Sequence, residues 1–394
     1  MSEFNASNLR KEYGNEGPDL VGITTLTSQH YMVPPSGTTA ERPQNPQKGT
    51  LRFNTDIGNL EFYRGDTIGW ESINRISTNI GISTLPQSES GEGIGARGVF
   101  SGGYLSGYND QTGIDYITIS TLGDSTNFGD MSTARRGLGG AGSHVRGIFG
   151  GGDGSPGHPS NVMGHISIPT LGNETDFGNL YGTGREGNRC LSNSTRHINV
   201  AGYSAPANQV TIDYISIQGL GDAIDFGDTT QARSGSGCFA SSTRGIIAVG
   251  ENAGGNNNID YITIASTGNA VDFGDNNNGY ITSTSSGGSN ATRGFIIGGH
   301  SPSPSPGKVD YISYLTSATL GNAIDFGILD QARSSAAAVS SPTRVVNAGG
   351  SVPSPSQNYM DYWEIPTKGN ATDFGDLSYA RFAHGSTSNA HGGL

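Results

Sequence analysis

From residue 97 onward, apolar residues come in short alternating runs separated by Gly, Ser, Asn and Pro. In Ile212-Asp-Tyr-Ile-Ser-Ile the alternation puts Tyr214 on one side of a strand and Ile215 and Ile217 on the other. Arg146-Gly-Ile-Phe-Gly-Gly-Gly reads as a strand running into a turn, and Leu220-Gly-Asp-Ala-Ile-Asp-Phe-Gly as a turn leading into a strand. The run after Arg233, Ser-Gly-Ser-Gly-Cys-Phe-Ala, is a strand built of small residues. No window sustains a 3.6-residue apolar period, so the pattern predicts an all-β chain.

These runs repeat. Phe-Gly pairs begin at Phe128, Phe177, Phe226, Phe273, Phe326 and Phe374, at spacings of 49, 49, 47, 53 and 48 residues. An Arg opens a short run ending in Gly at Arg97, Arg146, Arg196, Arg244, Arg293 and Arg344. Asp-Tyr recurs at Asp115, Asp213, Asp260, Asp310 and Asp361, with Gly164-His165 in the second copy. A further Arg follows each Phe at Arg135, Arg185, Arg233, Arg333 and Arg381, where the fourth copy has Tyr280. Four markers per unit predict four strands per unit, six times over. The small-residue strand suits the innermost position, where neighbouring units crowd together. The last such run, Phe382 to Gly393, is placed to complete the first unit, which otherwise begins at its second strand.

A period near 50 residues with four strands predicts the blade of a β-propeller. The pattern resembles the kelch repeat, carried here by Gly102-Gly103, Gly150-Gly151, Gly298-Gly299 and Gly349-Gly350, by the Tyr of each Asp-Tyr, and by the Arg that precedes each small-residue strand. Phe stands where kelch repeats have Trp. The resemblance covers residues 95–394 and implies a six-bladed kelch-like β-propeller.

Ahead of it, residues 1–30 form a polar arm, 31–75 a small β module and 76–94 a Ser/Thr/Gly linker. Leu51-Arg-Phe53 and Leu60-Glu-Phe-Tyr63 predict two strands joined by a turn over Asp56 to Asn59, and Trp70 closes a three-stranded meander. The residues Gly37-Thr-Thr-Ala-Glu-Arg-Pro43, Gly49-Thr-Leu-Arg-Phe-Asn-Thr-Asp56, Gly58-Asn-Leu-Glu-Phe-Tyr63 and Trp70 resemble a short module of tail-fibre and other virion structural proteins of tailed phages, cyanophages in particular. That resemblance implies a virion-surface component, made in the host cytoplasm and attached to other virion proteins or oligomerised through this module. It also implies host-surface recognition, of glycan or receptor, by the outward domain, or else a bridging role in capsid, neck or tail.

Composition narrows the partners. Net charge is −12, with four Lys against 18 Arg, which disfavours nucleic acid. The apolar runs are too short to insert in a membrane, and the N-terminus has no basic or apolar region of the kind a signal peptide carries. Two Cys, Cys190 and Cys238, occupy one phase of the repeat together with Gly140, Ala338 and Ser386, so they read as small buried sites rather than as a disulfide.

Catalytic chemistry finds little footing. Asp-Phe-Gly occurs five times without the companions of a kinase, so its Phe is expected to pack between units, its Gly to turn and its Asp to cap that turn. The eight His show no metal-ligand spacing, which weighs against a galactose-oxidase-like copper centre, and the acids follow the repeat rather than forming a glycosidase pair. No cofactor is expected. The repeated Arg residues are expected to join neighbouring units, with the Asp of Asp-Tyr as partner. The links between second and third strands vary freely, and Tyr104, Tyr108, His158, Tyr203 and His300 on them are the candidate partner contacts.

Overall fold

A computed structural model describes residues 34–56, 59–67, 69–72, 95–107, 109–154, 158–252, 256–277, 285–299, 308–313, 320–351 and 355–394. The arm 1–30 and the linker 76–94 lie outside these. The chain separates into two compact units, Met1–Ser77 and Thr78–Leu394. Among the described residues there is no α-helix, and no helix is long and apolar enough to cross a membrane.

The first unit is a four-stranded sheet, one strand more than the meander read from the sequence. Leu51–Asn54, Asn59–Tyr63 and Trp70–Ser72 form the antiparallel meander, and Ser36–Gly37 adds a short parallel strand against Phe53 and Asn54. The motif residues hold this sheet as one polar network. Glu61, fully buried, takes both nitrogens of Arg42 (3.1 and 2.6 Å) and the Asn54 amide (3.1 Å). The guanidinium groups of Arg42 and Arg52 both lie 5.9 Å from the Trp70 ring. Thr38 and Glu41 cap a single 3₁₀ turn, and Asp56 accepts the Thr39 N–H at 2.7 Å. Bonding to Arg42 holds the Glu61 carboxyl below its ordinary range, outweighing its burial.

The second unit is built of six four-stranded antiparallel sheets. Each runs in the order small-residue strand, Arg strand, Asp-Tyr strand, Phe-Gly strand. The third, for example, is Arg189–Ser192, Arg196–Val200, Thr211–Ser216, Ile224–Asp228. The first sheet takes its small-residue strand from the far end of the chain, with Gly385–Ser388 pairing antiparallel to Arg97–Ser101, as the phase of the repeat requires. The first strands of consecutive sheets lie against one another, and that of the sixth lies against that of the first. Six apolar clusters fill the spaces between neighbouring sheets. One joins Phe128 and Val99 to Leu138, Phe149 and Ile166, and another joins Phe100 and Ile117 to Val339, Val346 and Phe374. Small and β-branched residues dominate because each sheet is covered on both faces near the centre.

Two recurrent contacts bind sheet to sheet. The Arg ahead of five of the six small-residue strands is a clamp. The Arg135 carbonyl accepts the Gly103 N–H of one sheet at 2.8 Å, while its side chain reaches Gly151 O, Val162 O and Glu174 in the next. Arg233–Asp260 (2.7 Å), Arg333–Asp361 (2.7 Å), Arg381–Asp115 (2.8 Å) and Arg185–Asp213 repeat the ion pair with the Asp of Asp-Tyr. Burial lowers the pKa of Arg135 and Arg233 and raises that of Asp213, Asp260 and Asp361. The paired glycines answer to the same clamp. A Cβ on Gly102 would stand 2.6 Å from the Arg135 carbonyl oxygen, and φ there is +65°.

The second contact corrects the expected roles of Asp-Phe-Gly. Phe packs between sheets, but its Gly lies inside a strand, in the β-bulge that leaves the Phe unpaired, pressed against the next sheet's Gly-Asn or Gly-Asp turn. That turn clasps the strand: Gly268 N–H donates to Phe226 O at 2.7 Å, and Asn269 Oδ1 accepts the Asp228 N–H at 3.1 Å. The Asp of the motif is exposed on the outer strand and caps nothing; the carboxylate or amide of the neighbouring turn does the bonding.

Candidate functional site

The links between second and third strands all leave one end of the sheets, the end where the small-residue strands begin. Short hairpins form there: Tyr104–Leu105 with Asn109–Asp110, Asp153–Gly154 with His158–Pro159, and Tyr203–Ser204 with Ala207–Asn208. The residue following each clamp Arg meets the first residues of these links. Phe382 pairs with Tyr104, Arg136 with Asp153, Glu186 with Tyr203, Ser234 with Glu251 and Ser334 with Ser351.

Around this end, one arc is chemically rich. The rings of Tyr104 and Phe382 meet edge to face at 5.2 Å, and the Arg136 guanidinium lies 4.9 Å from the Tyr104 ring. Arg136 is held by Asp153 (2.7 Å) and Asp110 (3.7 Å). Asp153 Oδ1 is buried without a partner. Glu186 stands next along the arc, its backbone exchanging hydrogen bonds with Tyr203 (2.6 and 3.0 Å). Burial, and then the charge of Asp153, pushes the Glu186 carboxyl up; burial does the same to Asp110, against the pull of Arg136. Three carboxylates facing one guanidinium, beside three aromatic rings, make a surface suited to a polar ligand with an apolar face: hydroxyl or amine donors to the acids, and C–H faces on the rings. At the matching bridges of the opposite arc stand Ser234, paired with Glu251, and Ser334, paired with Ser351.

Of the residues singled out in the sequence, Tyr104 and Tyr203 sit on this arc. His158 opens its strand opposite Gly154. Tyr108 and His300 lie outside the described residues. Arg136, Glu186, Asp153 and Phe382 were missed, although a signal was present: the position after the repeated Arg varies between copies (Arg136, Glu186, Ser234, Ser334, Phe382) while the Arg itself does not. Among the described residues no group of His, Cys, Asp and Glu is arranged to hold a metal ion. Cys190 and Cys238 are free and buried. Asn193 and Asn290 serve as turn caps, each accepting the N–H of the residue three along at 2.8 Å.

No protein-family model matches the chain, and no curated protein is significantly similar to it.

Proposed function

We propose that the six sheets are the blades of one closed, kelch-like propeller, and that the chain is a structural protein of a tailed-phage particle, carried on the tail or a fibre. In this reading the first unit anchors the chain to other virion proteins or to further copies of itself. The loop end of the propeller contacts the host surface.

The observation that carries the recognition reading is the arc from Tyr104 through Arg136 to Tyr203. The clamp Arg residues and the Asp of Asp-Tyr are spent joining sheets, whereas these residues break the repeat and collect at the end where the variable links emerge. Closure is supported by the strand that Gly385–Ser388 adds to the first sheet and by the six inter-sheet clusters. The virion reading rests on the tail-fibre-like motif, whose residues form the network around Glu61. Weak contacts at many copies would sum to firm attachment.

Immunogold labelling of intact particles with antibody against residues 95–394 tests this. Gold on the tail or fibres, with antibody blocking adsorption, is the expected result. Gold over head or collar assigns the chain to decoration or bridging and removes the receptor role.

A further inference from the structure

The first strands of the six sheets surround a cavity of about 80 Å³. Its wall is small at almost every point. The first residue of the lining strand is Gly139, Gly237, Ser286, Ala337 or Gly385 in five sheets; in the third it is Arg189. This Arg is unlike the clamp Arg residues, each of which has a carboxylate at 2.8 Å or less. Arg189 Nη1 makes only two long contacts, to the carbonyls of Leu138 and Asn188, both at 3.3 Å. Its Nη2 is buried with no partner. No Asp or Glu lines the cavity.

The other polar groups of the wall supply no negative charge. Cys190 and Cys238 lie beside Arg189, and burial pushes both thiols up, Cys238 to about 12, so they stay protonated. His384, 1% exposed, has both ring nitrogens unpartnered. Burial, with Arg381 and Arg189 nearby, drives its pKa well below the ordinary value, leaving a neutral ring with one N–H to donate. Thr387, 4% exposed, has an unpartnered hydroxyl in the same wall. A buried guanidinium without a counter-charge is strongly unfavourable.

We infer that this cavity is a binding site for a small inorganic anion, held by the Arg189 guanidinium. The volume admits a halide or a single tetrahedral oxyanion and is far below the ~300 Å³ of sites for drug-sized ligands. Bound there, the anion touches the first strands of several sheets and strengthens their association by mass action.

The test uses the full chain at constant ionic strength, replacing gluconate by chloride, bromide or inorganic phosphate. The melting temperature is expected to rise by roughly 2 °C or more for each tenfold increase in the bound anion above its Kd. R189A, which restores the small residue of the other sheets, is expected to lose that response, and R189K to keep part of it. A bromide-soaked crystal is expected to show an anomalous peak beside Arg189 Nη2, a readout that stands even if R189A does not fold. Equal melting temperatures in all four salts, an undiminished response in R189A, or water alone beside Arg189 would overturn the assignment.

Discussion

At the scale of single residues, the second sheet shows how a repeat keeps an interaction while losing its residue. Asp-Tyr is replaced there by Gly164-His165, yet Arg135 still has a buried carboxylate, Glu174, at 2.7 Å. Glu174 stands where four of the other copies have Ala, at Ala223, Ala270, Ala323 and Ala371. A Cβ on Gly164 would fall inside the Glu174 carboxyl group, so the two substitutions require each other. E174A is expected to cost about 3–5 kcal/mol in urea unfolding, because it strands Arg135. G164D alone is expected to destabilise by crowding, and the G164D/E174A pair to recover much of the loss; simple additivity in that cycle would refute the exchange. Backbone strain marks another departure. Where the third sheet keeps only one glycine of the pair, Ala201 takes φ +49°, a left-handed conformation. A201G is expected to raise stability by up to about 1 kcal/mol in the same assay.

At the scale of elements, strand order and the small-residue strand were legible because each rests on period-two alternation and on recurrence. The clasp between sheets was not, because its partners lie about 40 residues apart in sequence and involve backbone groups that no side-chain pattern reveals. Gly after Phe therefore read as a turn residue when it is a close-approach residue. Gly227 has φ +144°, and a Cβ there would stand 2.6 Å from the Gly268 carbonyl group, whereas a Cβ on Gly219 would meet nothing within 4 Å. G227A is expected to lower the denaturation midpoint strongly, and G219A to leave it within the equivalent of ~0.5 kcal/mol. Equal effects would mean that the clasp carries no weight. The fourth strand of the N-terminal sheet was missed for a different reason: Ser36–Gly37 is too short and too polar to show alternation. The arc around Arg136 was half legible, its tyrosines from the variable links and its acids not at all.

At the scale of the whole molecule, buried neutral histidines set the response to acid. His197 and His391 are pushed down to about 4 by burial, and burial drives His384 well below its ordinary value. His391 Nε2–H donates to Gly142 O at 2.9 Å. Unfolded, these rings take up protons near their ordinary 6.5; folded, they do so only near 4 or below. Their stabilisation is therefore present above 6.5 and lost as pH falls from there through 4, each contributing a slope of about 1.4 kcal/mol per pH unit. Asp213, Asp260 and Asp361, whose pKa values are raised, act oppositely, in the window between the ordinary carboxylate value and their raised ones. Urea unfolding between pH 7 and 5 is expected to show stability falling with acid, and H197N to reduce the slope; a flat profile would contradict the buried neutral state.

The joining of the two ends of the six-sheet unit sets a timetable for its birth. Arg97 N–H is bonded to Asn389, 292 residues away, and the strand beside it is supplied by Gly385–Ser388. On a ribosome adding ~5–20 residues each second, the edge at Arg97–Ser101 waits roughly 15–60 s for its partner. During that interval it is open to the matching strand of any neighbouring nascent chain, and every such strand is nearly alike. Dense translation of one message thus favours exchanged, multi-chain products, and slow or well-spaced translation favours the monomeric six-sheet unit.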